Sequence, residues 1–337
     1  MRRCTGLIIA AGLLCAGCQP DAAPDIETRR VLFDGDMAHE DYIALLLLLQ
    51  HPAADVQSVT IAGTGEVHCE PGIRYTAGVL AAAGQGDIPV ACGRETPLSG
   101  DHEFPAEWRA RADEFYGVPL PAGGEREGGQ AADLIAETLR ASEQPGVIVA
   151  VGPLTNIAEA LQRYPDIVQH ISRIYIMGGA VHVDGNVGLS GVGIDNAYAE
   201  WNIYIDPEAA NVVLESGVPV TLVPLDATQD VPITTGFLNR LNRQRQTPAA
   251  DLVYALLYAN RDLIDFGGFQ FWDTLTAAIS LRPDLATYED INLTVVADEG
   301  PESGRTKPSA DGPSVQVAVS AERRAFEAFL MGTLNQP

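Results

Sequence analysis

The sequence is poor in positive charge. Its 337 residues include 21 Lys and Arg against 45 Asp and Glu, a formal net charge of −24. Such a surface disfavours nucleic-acid backbones and anionic membranes as partners, but not small neutral ligands. Cysteine is scarce, with five in the chain and no zinc-type spacing among them. No apolar run reaches the roughly 18 residues that suggest a membrane-spanning helix. Internal repeats are absent, and no linker divides the chain after residue 30. What is present is 46% hydrophobic and 20% charged residues, a balance that suits one large α/β domain or at most two.

The N-terminus reads as a targeting segment. Arg2 and Arg3 form a positive start, and Leu7 to Leu14 form a short apolar core ahead of Cys15-Ala16-Gly17-Cys18. Small residues before a cysteine resemble a bacterial lipoprotein signal over residues 1–17, with Cys18 the lipidated first residue after cleavage. Residues 18–29 then read as a polar tether, and residues 30–337 as the folded domain. The expected location is the bacterial cell envelope on the periplasmic side, held to the membrane only by the lipid. Gln19 after the cysteine favours the outer membrane. After cleavage Cys18, Cys69 and Cys92 remain. The last two either pair in an oxidising compartment or stay as buried thiols.

From residue 30 short apolar runs alternate with longer amphipathic ones. Strands are expected at Val56 to Ala62, Ile88 to Ala91, Val147 to Val151, Ile174 to Met177 and Val220 to Val223. Helices are expected at Gly72 to Ala83, Ala131 to Leu139, Ile157 to Gln162 and Pro207 to Ser216. This alternation predicts an α/β fold with a mainly parallel, Rossmann-like central sheet flanked by helices. Segments 94–130 and 184–199 are long, Gly-rich and polar, as functional or mobile loops are.

The chemistry concentrates where Val31-Leu32-Phe33 runs through Asp34-Gly35-Asp36-Met37-Ala38-His39-Glu40-Asp41 into the Leu-rich stretch ending at Leu49. This is a strand, an acidic turn and a buried helix, and open α/β folds place ligands at such turns. Four carboxylates that converge repel one another unless a cation is present. Oxygen-only donors suit a hard ion, Ca²⁺ or Mg²⁺. Solvated acids on a capped helix are the plainer account of this stretch alone.

Asp34-Gly35-Asp36-(x3)-Glu40-Asp41 resembles the aspartate motif of the nucleoside hydrolases, which cleave ribonucleosides using Ca²⁺, with Glu40 where that family usually has Asp. The resemblance continues through Val151-Gly152-Pro153-Leu154, through Met177-Gly178-Gly179 with Asn186, through Ala199-Glu200-Trp201-Asn202, and to Trp272-Asp273. It implies that Asp36, Asp41, Asp273 and the Val151 carbonyl hold Ca²⁺, that Asp36 is the catalytic general base, and that Glu40, Asn186, Glu200 and Asn202 bind the sugar. Many relatives place a His just before the last Asp; Trp272 stands there instead. Together with Phe104-Pro105-Ala106-Glu107-Trp108, this resembles the purine-specific branch that prefers inosine, adenosine and guanosine. In that branch Trp108 and Trp272 would stack on the base. The branch tends to dimerise, so a homodimer is part of what the resemblance implies. Asp206 and Pro207 read as a helix cap. Gly63-Thr64-Gly65-Glu66 lacks the Asn or Asp expected near the leaving base, and Glu66 is the substitute at hand. Two alternatives remain open: an envelope lipoprotein that binds nucleosides without cleaving them, and a hydrolase of pyrimidine or other ribosides.

Overall fold

The structure is a computed structural model that describes residues 28–120 and 129–336. The signal, Cys18 and all but the last residues of the tether lie outside the described residues. Ten strands form one sheet: β1 (Arg29–Gly35), β2 (Ala54–Ile61), β3 (Val90–Cys92), β4 (Gly129–Gln130), β5 (Gly146–Ala150), β6 (Ile171–Met177), β7 (Val220–Val223), β8 (Ala286–Val295), β9 (Thr306–Pro308) and β10 (Ser314–Ala321). Their spatial order is β4-β3-β2-β1-β5-β6-β7-β10-β8-β9. The pairings from β4 across to β10 are parallel, whereas β8 runs antiparallel to both β10 and β9. The mainly parallel sheet matches the sequence expectation, and the antiparallel edge is added by the C-terminal region.

Alternation along the central strands builds two cores. Val31 and Phe33 of β1, with Val147 and Val149 of β5, face one side; Leu32, Ile148 and Ala150 face the other. Successive strand side chains point to opposite faces, so an unbroken apolar strand must be covered on both. On the first face lie helices His39–Gln50, Pro248–Ala259, Trp272–Leu281 and Arg323–Leu334. On the second lie Ala131–Arg140, Thr155–Arg163 and Pro207–Leu214. Helix His39–Gln50 is buried from His39 to Leu49, which is why it carries Leu on every side.

The sheet order explains where a site can form. From β1 the chain winds outward through β2, β3 and β4, then returns to β5 and winds the opposite way through β6 and β7. β1 and β5 are therefore neighbours whose following loops diverge, and they leave a crevice at their carboxyl ends. Asp36 follows β1 and Val151 follows β5.

Cys69 and Cys92 form a disulfide, with Cα atoms 5.6 Å apart, which closes the choice between paired and free thiols. The bond ties the start of helix Cys69–Ala82 to the end of β3, and it closes a loop with a sequence separation of 23. By the loop-entropy relation, replacing both cysteines by serine should cost about 3 kcal/mol. Urea unfolding of the double variant checks this; an unchanged midpoint would show that the bond contributes nothing.

Candidate active site

Asp34 is the next-to-last residue of β1, with its carboxylate inside the protein. Its Oδ1 accepts from the Thr60 hydroxyl at 2.5 Å and from the Asn156 amide at 2.8 Å, while Oδ2 is buried without a partner. Two residues on, Asp36 enters the crevice. Its Oδ2 accepts from the Glu66 N–H at 2.9 Å, and its own N–H donates to Asp41 Oδ1 at 2.8 Å. The turn is closed by Met37, at φ 58°, and its glycines leave room for the acids. A Cβ on Gly35 would lie 2.3 Å from Asp41 Oδ1.

Asp41 brings the third acid in. Its Oδ1 is the acceptor for the Asp36 N–H, its Oδ2 is buried without a partner, and the Asp36 and Asp273 carboxylates are near enough for their charge to act on it. Asp36, Asp41 and Asp273 are 3%, 0% and 5% exposed, so side chains from the two ends of the chain meet away from water. Glu40 is buried beside them. Its Oε2 accepts from the Asp273 N–H at 2.8 Å and the Thr274 N–H at 3.4 Å, and its Oε1 accepts from the Thr274 hydroxyl at 3.0 Å.

The remaining predicted residues converge from β5, β6 and the segment after it. The Val151 carbonyl accepts from the Asn202 amide at 3.0 Å, and the Met177 carbonyl takes a second bond from the same group at 3.3 Å. Glu200 caps helix Trp201–Ile205 through the Asn202 and Ile203 N–H groups and also binds the Gly179 N–H at 3.0 Å. Asn186 Oδ1 accepts from the Trp201 N–H at 3.2 Å. Asp206 caps helix Pro207–Leu214, as its sequence position suggests. The two tryptophans sit in separate aromatic groups. Trp108 packs 5.2 Å from Trp201 and 6.4 Å from Phe104, whereas Trp272 meets Phe269 edge-on at 5.3 Å.

The family profile described as "Inosine-uridine preferring nucleoside hydrolase" matches residues 31–328. The chain belongs to that family. Among curated proteins this nucleoside hydrolase is 33% identical over 318 residues to a pyrimidine-specific ribonucleoside hydrolase, RihA, of Citrobacter koseri, covering 89% of this chain and 96% of that one. Among solved structures it superposes on the inosine-uridine preferring nucleoside hydrolase of Bacillus anthracis with a TM-score of 0.80 at 26% identity, covering 92% and 100% of the two chains. A purine-preferring ribonucleoside hydrolase from Gardnerella vaginalis gives 0.78 at 26% identity, with 91% and 98% covered. The protein is thus an N-ribosyl hydrolase acting on nucleosides, and its relatives include both pyrimidine-specific and purine-preferring enzymes.

The electrostatics of this nucleoside hydrolase follow from burying so many acids. Burial is the main cause that raises the Asp34 carboxyl to about 7 and Glu40 to about 8. It likewise raises Glu66 to about 8 and Glu200 to about 7. Burial also raises Asp36, Asp41 and Asp273, and in the last two the neighbouring carboxylates add to it. As the side chains stand, no group of three or more His, Cys, Asp or Glu among the described residues is spread to enclose an ion. The acids instead crowd one another, and the charge of each opposes ionisation of the next. The donor set nevertheless fits a hard cation: it is all oxygen, and Asp41 Oδ2 is a buried acceptor with no partner.

A pH dependence follows. These carboxyls titrate near 4 in the unfolded chain and near 7 to 8 when folded, so the folded state holds more protons between those limits. Their contribution to stability is full below about pH 4 and is lost as pH rises through about 8. With chelator present, the melting temperature should fall from pH 5 to pH 8.5. A melting temperature that stays flat or rises from pH 5 to pH 8.5 would contradict this account.

Three residues that line the same region were not singled out as site residues from the sequence. Tyr116 donates its hydroxyl to Glu66 Oε2 at 3.1 Å and sits on left-handed backbone, φ 53°. His39 lies between Tyr116 and Phe269, with ring centroids 5.0 and 4.5 Å away, and both its ring nitrogens are buried without partners. Burial, with the Arg111 charge, pushes His39 down to about 3, so its ring is neutral. Thr274 completes the set through Glu40. His39 could have been found from its place inside the acidic motif; Tyr116 carries no local signal.

Proposed function

We propose that this nucleoside hydrolase cleaves the N-glycosidic bond of purine ribonucleosides, releasing ribose and free base, with Ca²⁺ at its acidic crevice. The observation that carries the reading is the convergence of Asp36, Asp41 and Asp273 at the carboxyl ends of β1 and β5. These three, with the Val151 carbonyl, are the residues that would hold the ion. When bound, Ca²⁺ would lower the pKa of a coordinated water and bind the ribose diol. Asp36 takes a proton from the attacking water as the water oxygen bonds to the anomeric carbon and the carbon–nitrogen bond breaks. The sugar passes through an oxocarbenium-like state. Asn186, Glu200 and Asn202 orient its hydroxyls, because amides and carboxylates match groups that both donate and accept. Glu40 reaches the same crevice, but its carboxylate is already bonded to a helix end. Trp108 and Trp272 supply apolar faces for the base, which departs with a proton from solvent. Stacking favours a protonated base by about 0.5–2 kcal/mol.

Similarity to the pyrimidine-specific enzyme of Citrobacter koseri supports a second reading, in which uridine or cytidine is preferred. Reducing-sugar release from inosine, adenosine, guanosine, uridine and cytidine, with CaCl₂ and with chelator, separates the two. Purine turnover that exceeds pyrimidine turnover and vanishes with chelator is the expected result. Faster hydrolysis of uridine would move the assignment to pyrimidines. No release from any of the five would end it.

We also place the enzyme in a bacterial envelope, anchored through Cys18 and facing the periplasm. The Cys69–Cys92 disulfide supports an oxidising compartment.

A further inference from the structure

Helix Trp272–Leu281 presents a problem that its own sequence does not solve. It is one of the most deeply buried helices, with Asp273 to Ser280 inside, yet Phe271 at its N-cap offers no side-chain hydrogen bond. The first backbone N–H groups of a helix have no partner within it and need one from elsewhere when water is excluded. Here the partner is Glu40, which comes from a different helix 233 residues earlier. One carboxylate oxygen takes the N–H groups of Asp273 and Thr274, and the other takes the Thr274 hydroxyl.

We propose that Glu40 is a positioning residue that sets where Asp273 stands, using the first turn of helix Trp272–Leu281 as its handle. This rests on the reading of the acidic crevice as the cation site. Glu40 and Asp41 are consecutive, and both act on Asp273. Glu40 holds its backbone N–H by a hydrogen bond, and Asp41 lies close enough for the two charges to act on one another. Trp272, one residue before, is fixed by the same anchor. Glu40 is 2% exposed and Thr274 is fully buried, so water cannot take over these bonds if the carboxylate is removed or shortened. Reach matters as well: an Asp at position 40 would carry its carboxylate one bond length, about 1.5 Å, less far. Glu40 is therefore primarily a structural partner of a ligand residue rather than a contact to the sugar.

The experiment compares the full protein with its Glu40→Ala, Glu40→Asp, Glu40→Gln and Thr274→Val variants. Calorimetric titration with CaCl₂ reads ion affinity. Hydrogen exchange of the peptide spanning residues 271–276 reads the helix end without any ion. Loss of an outer partner of a metal ligand typically weakens affinity about 10- to 100-fold. That loss is expected for Glu40→Ala and Glu40→Asp, with a smaller one for Thr274→Val and faster exchange in all three. Glu40→Gln should stay within a few-fold of the parent, because its carbonyl can accept from the Asp273 N–H while its amide donates to the Thr274 hydroxyl. The ratio of inosine to 2′-deoxyinosine turnover should be unchanged in Glu40→Ala. Unchanged exchange in both Glu40→Ala and Thr274→Val overturns the proposal, as does a collapse of that ratio with ion affinity intact, which would make Glu40 a contact to the 2′-hydroxyl. The underlying reading fails separately: a parent protein that neither binds Ca²⁺ nor hydrolyses nucleosides removes the cation site, while the exchange data still decide whether Glu40 holds the helix.

Discussion

Asp36→Ala is expected to lower kcat/KM for the preferred nucleoside by about three orders of magnitude or more, with the fold intact. A positioned general base contributes about 10²- to 10⁴-fold by itself. Under the proposed function Asp36 would also help to hold the cation, so its removal should weaken the ion and the activated water together. The fold should survive, because the lost carboxylate is a source of strain. It is buried, its pKa is raised by that burial, and it shares the crevice with Asp41 and Asp273. Removing one of several crowded acids relieves repulsion. The melting temperature in chelator should therefore be unchanged or higher, while activity is lost. Steady-state kinetics and thermal melts on the same preparation check both halves. Activity within tenfold of the parent would remove Asp36 from the reaction.

The acidic turn was legible in the sequence for a local reason. The acids of the first turn lie in one short stretch, and the apolar strand before them and the Leu-rich helix after them place that stretch at a strand-to-helix junction. The central strands were legible for the same reason. β5 and β7 are apolar runs buried on both faces, bounded by amphipathic helices, and the observed strands overlap the expected ones closely. Less visible were the places where contact depends on distant partners. Helix Trp272–Leu281 is capped by Glu40 from across the domain, which no local pattern announces. Tyr116 reaches Glu66 only because Phe115 and Tyr116 both take left-handed backbone, at φ 51° and 53°. Neither residue type favours that conformation, so the turn follows from tertiary packing rather than local preference. In segment 184–199 the ordering comes from Asn196. It is buried, its Oδ1 accepts from the Tyr198 and Ala199 N–H groups, and its amide reaches the Ser303 carbonyl. A polar, Gly-rich sequence suggested a functional or mobile loop; a buried amide helps to tie it down.

Gly65→Ala should lower activity by about two orders of magnitude, although Gly65 has no side chain to contribute. A Cβ at this position would lie 2.0 Å from Asp36 Cβ and 2.4 Å from Asp36 Oδ2. Real atoms do not approach so closely, so either the loop or Asp36 must move. The loop has little freedom. The Gly65 N–H donates to the Ala62 carbonyl at 2.9 Å, and Thr64 bonds the Thr155 hydroxyl at 3.1 Å. Thr155 in turn donates to Asp206 at 2.7 Å. Asp36 is tethered from the other side by the Glu66 N–H. The new methyl group thus pushes the carboxylate out of line with Asp41, and a misplacement of about 1 Å in a catalytic constellation can cost about 10²-fold. Under the proposed function calcium affinity should fall with kcat/KM, since the same carboxylate would serve both. Gly332→Ala is the internal contrast. It lies within helix Arg323–Leu334 with no atom within 4 Å of a new Cβ, so alanine there should be neutral or stabilise by up to about 1 kcal/mol. If Gly65→Ala kept parental activity and ion affinity, the crevice would be able to shift Asp36 freely, and a rigid arrangement of the three carboxylates could not be what makes the site work.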